Sequence, residues 1–192
     1  MNNDNPLRRC WASPEDKLML TYHDVEWGEP VHDDRRHFEY LVLDAFQAGL
    51  SWRTVLYKRE NFRKAFSNFN PQLIAKYDQR KIQNLLRDAG IIRNRLKILG
   101  TIRNAQAFLK IQKEHGSFNE YIWQFTKHRP IRNRWRSIKE LPARTKESDA
   151  MSEALKKQGF TFVGSTICYA YMQAAGLVND HLVGCFRYKE IK

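Results

Sequence analysis

The sequence predicts an all-α fold. Apolar residues recur at helical spacing in nearly every segment, and no run alternates polar with apolar residues over a useful strand length. Turn-forming breakers divide the periodic stretches into roughly eight or more helices. The 192 residues contain no Pro, Gly or Ser-rich linker, no internal repeat and no low-complexity tract, so residues 1–192 read as a single domain with one substantial core.

From Arg35 to Ala48, the residues Phe38, Leu41, Val42, Ala45 and Ala48 follow the spacing of one buried helical stripe. On the neighbouring face His37, Tyr40, Asp44 and Gln47 recur with the same period, which suits either the lining of a cleft or a solvated surface. Around Leu85 to Ile92 one helix ends, a tight turn passes through Gly90, and a second helix is expected from about Ile91 to Lys110. Gly90 suits a backbone position with positive φ, and flanking Arg side chains suit a DNA phosphate. In the second helix Ile91, Ile98, Ile102, Ala105 and Leu109 form the inner face, Arg93, Lys97 and Arg103 point elsewhere, and Arg95 interrupts the apolar stripe. A short helix follows over Ser117 to Thr126. The proline-bearing stretch from Lys127 to Pro142 is expected to be a loop. Ser148 or Asp149 can cap a helix through Lys157 that stops at Gly159, and Ser165 can cap another over Thr166 to Ala175 that stops at Gly176.

Composition narrows the partners. Thirty-three Lys plus Arg against twenty-one Asp plus Glu leave a formal charge of +12. Much of the excess falls in two clusters: Arg80, Lys81, Arg87, Arg93, Arg95, Lys97 and Arg103, then Lys127, Arg129, Arg132, Arg134, Arg136 and Lys139. Such clusters fit a polyanion footprint or simply a solvated helix face, and the large overall charge favours nucleic acid. No apolar run approaches a membrane span, and Met1 to Pro6 lack the apolar stretch of a signal peptide, so the expected compartment is the cytoplasm. Three widely separated cysteines argue against a disulfide framework.

Two of those cysteines join two histidines in a possible ligand set. Cys10 with His23, and His181 with Cys185 at i, i+4 spacing, would supply two thiolates and two imidazoles from opposite ends of the chain. That is the donor chemistry of structural Zn²⁺, and four protein donors leave no position for a catalytic water. Spacing alone does not separate this reading from a buried thiol and a hydrogen-bonded imidazole.

Four strings in order decide the matter: Tyr22-His23-Asp24-Val25-Glu26-Trp27-Gly28, Gln47-Ala48-Gly49-Leu50-Ser51-Trp52, Asp88-Ala89-Gly90-Ile91-Ile92-Arg93 and Gly176-Leu177-Val178-Asn179-Asp180-His181. With them the chain resembles the bacterial 3-methyladenine DNA glycosylases of the first type, members of the helix-hairpin-helix glycosylase superfamily, from Cys10 to about Cys185. The resemblance implies a helix-hairpin-helix fold with a structural zinc on Cys10, His23, His181 and Cys185. It implies that Gly90, with Arg93 and Arg95 beside it, belongs to the DNA-binding hairpin. It further implies that Tyr22 and Trp52, with Trp27 close by, receive a flipped base, and that Gly49 and Leu50 fill the gap left in the duplex. Asp44 stands where the family pattern has Glu, one methylene longer, so its carboxyl is retracted by about 1.5 Å. Trp11 directly after Cys10, and Met19 at a place that is often aromatic, are further departures that bear on which base fits.

The expected reaction is monofunctional hydrolysis of the N-glycosidic bond of 3-methyladenine in alkylated double-stranded DNA, by a monomer, leaving an abasic site. A base must leave the stack to be cut, and N3-methylation makes adenine cationic and a better leaving group. Stacking would then favour the cation by about 1–2 kcal/mol when desolvated. A second reading is a protein that binds alkylated DNA but cuts weakly because Asp44 falls short. A third, a zinc-dependent base deaminase, would need a His-x-Glu followed by Cys-x-x-Cys, and no such combination is present.

Overall fold

The computed structural model describes residues 7–191; the reading of Met1 to Pro6 therefore lies outside the described residues. Among the described residues ten α-helices appear in the order α1 (Lys17–Val25), α2 (Asp34–Gln47), α3 (Trp52–Ala65), α4 (Pro71–Ile74), α5 (Gln79–Arg87), α6 (Arg95–His115), α7 (Phe118–Trp123), α8 (Lys146–Lys157), α9 (Ser165–Ala174) and α10 (Arg187–Glu190). Helices α1 to α8 each begin at a side-chain cap: Asp16, Asp33, Ser51, Asn70, Asp78, Asn94, Ser117 and Thr145. Each cap satisfies an amide the helix cannot, worth about 1 kcal/mol, so the boundaries are written locally.

Helix α2 is the hub. It packs against α3, α9, α6 and α7, and every residue from His37 to Phe46 is buried. The polar stripe predicted on this helix is thus neither a cleft lining throughout nor a solvated face. His37 is buried against the Tyr171 hydroxyl at 2.6 Å and Asn119 at 3.3 Å, and burial lowers its pKa to about 4. Tyr40 donates to Glu26 at 2.6 Å. Arg59 bonds both Glu26 and Glu39 at 2.7 Å, and Arg63 adds a bond to Glu39 at 2.7 Å. This ion network fastens α1, α2 and α3 together, leaving only Asp44 and Gln47 of the stripe to face a cavity.

Several boundaries differ from expectation. The long helix starts at Arg95 with Asn94 as its cap and continues to His115, so Arg95 sits at a helix start and interrupts no stripe. Thr145 caps α8, with Ser148 completing a reciprocal capping box; Gly164, not Ser165, precedes α9. The expected loop after Lys127 includes a two-residue strand, β1 (Ile131–Arg132), parallel to β2 (Val178–Asn179), with Ile131 opposite Val178. Pairs this short carry no alternation to detect, yet they hold residues 131–141 beside α9.

Candidate functional site

A cavity of about 290 Å³ opens between α1, α2, α3 and α9. Tyr22 reaches it from α1, Trp27 from the turn after that helix, Asp44 and Gln47 from the end of α2, and Trp52 from the first position of α3. Ser51, by accepting from the Thr54 amide at 3.2 Å, fixes where Trp52 enters its helix. Asp16 does the same for α1 and ties it to α3 through Arg53 at 2.6 Å and Tyr57 at 2.9 Å. Tyr22 and Trp52 have ring centroids 5.1 Å apart, and Trp11 meets Trp27 edge-on at 5.3 Å. The wall is therefore an aromatic box with few polar atoms.

Two of those polar atoms are unsatisfied. Asp44 is 2% exposed, and its Oδ2 has no hydrogen-bond partner among the described residues; the same holds for Trp52 Nε1. A buried polar group without a partner costs about 1–3 kcal/mol, which a ligand can recover. Burial pushes the Asp44 carboxyl well above its ordinary range, so burial by itself favours the neutral acid. Tyr22 is raised as well, first by burial and then by the neighbouring Tyr40 and Asp44. The pocket thus resists negative charge until something positive enters it.

Directly behind the aromatic wall, Cys10, His23, His181 and Cys185 bring one donor atom each to within 4.8 Å of one another, a group able to hold a metal ion. Cys10 Sγ lies 3.0 Å from His23 Nε2 and 3.5 Å from His181 Nδ1; Cys185 Sγ lies 3.5 Å from both of these nitrogens. The far nitrogen of each imidazole has its own acceptor. His23 Nδ1 faces Asp24 at 2.8 Å, with Arg9 holding that carboxylate at 2.6 Å, and His181 Nε2 faces the Trp27 carbonyl at 3.0 Å. Each N–H is thereby directed outward and each lone pair toward the centre, the arrangement typical of ligating imidazoles.

The hairpin expected at Gly90 joins α5 to α6, but not by the expected means. Gly90 does not have positive φ; it is favoured because a Cβ there would meet Asp88 Oδ1 at 2.9 Å and Asn61 at 3.2 Å. Its N–H donates to Asp88 at 2.8 Å, and its carbonyl accepts from Lys58 and Asn61 on α3. Arg93 and Arg95 are exposed beside the turn. Lys97, counted in the basic cluster, is buried at 7% exposure, and its Nζ donates to the Phe46 carbonyl at 2.9 Å and the Ala48 carbonyl at 2.6 Å. It caps the C-terminus of α2, where Gly49 at φ +81° and the exposed Leu50 begin.

The family model for methyladenine glycosylase matches residues 11–188. The chain belongs to the methyladenine glycosylase family. DNA-3-methyladenine glycosylase 1 of Escherichia coli is 47% identical over 182 residues, covering 95% of this chain and 97% of that protein. A crystal structure of 3-methyladenine DNA glycosylase I superposes with a TM-score of 0.90 at 48% identity, covering 93% of this chain and 98% of the other. A structure described as the basis of 3-methyladenine recognition by the Staphylococcus aureus enzyme superposes at 0.87 with 32% identity, covering 90% and 92%. Among the described residues no helix is long and apolar enough to cross a membrane.

Within that family frame, Tyr22, Trp27, Asp44 and Trp52 come together around one cavity, whereas Gly49 with Leu50 stand on the turn after α2, and Gly90 with Arg93 and Arg95 on the turn before α6 and its first residue. Sequence reasoning missed the opposite wall, formed by Ala170, Gln173 and Ala174 on α9 with Ile138 and Leu141. The α9 trio has i, i+3, i+4 spacing and was there to be found. Ile138 and Leu141 carried no such signal.

Proposed function

We propose that the chain hydrolyses the N-glycosidic bond of 3-methyladenine in alkylated duplex DNA and leaves an abasic site. The observation that carries this reading is the aromatic cavity with a buried, unpartnered Asp44 oxygen in its wall. The binding-only alternative is not favoured, since the relatives found are named as glycosylases at high identity.

Extrusion of the base costs a few kcal/mol, least for a damaged one. Gly49 and Leu50, exposed at the end of α2, fill the space it leaves. The hairpin around Gly90, with Arg93 and Arg95, holds the phosphates, and the salt dependence of that contact is set by counterion release. Tyr22, Trp27 and Trp52 enclose the base, and their π faces favour a cationic ring over neutral adenine. Entry of a cation reverses the electrostatics at Asp44. Its ionised form, disfavoured by burial alone, now has a positive partner and becomes a charge-assisted acceptor. The positively charged base leaves readily once the sugar bond stretches, so the residues' main work is selection and charge placement.

Cys10, His23, His181 and Cys185 hold a structural Zn²⁺ in this reading. A tetrahedral ion with about 2.3 Å to sulfur and about 2.0–2.1 Å to nitrogen requires sulfur–nitrogen edges of about 3.5 Å. Three of the four edges measure 3.5 Å. The metal supplies cross-linking and charge neutralisation for two thiolates, and no step of base release runs through it. Residues 1–192 act as one helix-hairpin-helix domain, as a monomer, in the cytoplasm. The test is chromatographic identification of bases released from DNA treated with a methylating agent. Release of 3-methyladenine is expected, and its absence with folded, zinc-loaded protein overturns the reading.

A further inference from the structure

Gln173 projects from α9 and lines the cavity. Its Nε2 donates to Asp180 Oδ2 at 2.8 Å, and its Oε1 takes no hydrogen bond from the described residues. Asp180 is itself 1% exposed and surrounded by donors. Asn133 Nδ2 and Trp135 Nε1 reach Oδ1 at 2.7 and 2.8 Å, and the Tyr169 hydroxyl reaches Oδ2 at 2.5 Å. A carboxylate so surrounded only accepts, so the neighbouring amide must present its NH₂ group to it. Turning Gln173 over would set two acceptors against each other. The carbonyl end of Gln173 is therefore the end left for the cavity.

This matters because purines differ there. Adenine carries an amine at its 6-position, a donor, whereas guanine carries a carbonyl oxygen, an acceptor. A freely turning amide could present either its NH₂ group or its carbonyl and would tolerate either base. An amide locked in one orientation does not. We infer that Gln173, oriented by Asp180, is a specificity-determining acceptor that favours N3-methylated adenine over N3-methylated guanine. The inference rests on reading the cavity as the base pocket.

Asp180→Asn tests it without emptying the wall. Because Asn133 and Trp135 both donate to the Oδ1 position, the new amide keeps its oxygen there and puts NH₂ at the Oδ2 position. The Tyr169 hydroxyl oxygen can accept from that NH₂, and Gln173 must turn over to accept as well. The cavity then meets a donor. Single-turnover release of 3-methyladenine and 3-methylguanine from one methylated DNA sample gives the ratio of the two rates. For Asp180→Asn the ratio should fall roughly tenfold, through slower adenine release and faster guanine release, the scale of one hydrogen bond exchanged for a mismatch. Gln173→Met, which removes the acceptor without inverting it, should slow adenine release while leaving guanine release near its wild-type rate. An unchanged ratio in both variants, or equal loss for both bases, overturns the inference and leaves the glycosylase reading intact. Failure of the wild-type protein to release 3-methyladenine would instead overturn the reading of the pocket.

Discussion

Replacing Asp44 by Asn should make the protein more stable and less active, and both effects follow from where the carboxyl lies. The side chain is nearly isosteric, so packing around α2 is kept. Burial raises the folded-state pKa of Asp44 above that of the unfolded chain, with no compensating cation facing it. Between those two values the folded protein holds a proton that the unfolded chain has released, so wild-type stability falls as pH rises through the window. The loss is about 1.4 kcal/mol for each pH unit of the window, and Asn has no such proton to hold. In urea titrations at a series of pH values from 4 to 8, Asp44→Asn should gain on the wild type as pH rises. Activity moves the other way. The ionised carboxylate that forms against a cationic base makes a charge-assisted bond worth roughly 1–2 kcal/mol more than the amide's neutral one, so single-turnover release of 3-methyladenine should slow about 5- to 30-fold. Asp44→Glu, with its longer reach, should hold or raise the rate. Equal rates for wild type and Asp44→Asn, together with parallel stability curves, would refute both the burial argument and the role of Asp44.

Cys185→Ala, or prolonged chelation, should lower stability and loosen the N-terminal and C-terminal segments first, seen as hydrogen exchange rising around Cys10 and His181 before the α2 core; metal analysis finding only traces of zinc in well-folded protein would contradict this. The double variant Arg93→Ala with Arg95→Ala should bind undamaged DNA more weakly and reduce the steepness of its salt dependence by up to about two units, and an unchanged slope would make these residues mere solvating charges. Lys97→Met leaves two carbonyls at the end of α2 without their cation, at a cost of roughly 2–4 kcal/mol. For a chain of this size that is a melting decrease of roughly 5–15 °C by calorimetry. A variant melting like the wild type would show that water or a shifted helix end serves those carbonyls equally well.

Legibility in the sequence followed the range of the interactions. Helix α2 was readable because its apolar period is local, whereas spacing alone left the clustering of Cys10, His23, His181 and Cys185 open, and it was the resemblance that implied it. What failed was set by partners remote along the chain. Lys97 looks like any surface cation until Phe46 and Ala48 present their carbonyls to it. Gly90 resembles a positive-φ turn glycine, yet what excludes a side chain there is the proximity of Asn61. Asp44 was legible as a pocket residue, but its protonation depends on burial from every side, and no single-element pattern records that.

The Cys10 and His23 half of the Cys/His cluster adjoins the aromatic wall along the chain, and His181 reaches that wall through a hydrogen bond. Cys10 is bonded to Trp11, and His23 to Tyr22; the carbonyl that receives His181 belongs to Trp27. Consecutive Cα atoms are about 3.8 Å apart, too short a tether for a ligand to move without carrying its ring along. Oxidation of Cys10 would thus be felt as a misshapen cavity before the helical core noticed it. With the proposed zinc in place, repair by this protein in a cell under alkylating and oxidising stress together would depend on thiol reduction and metal supply as well as on affinity for DNA.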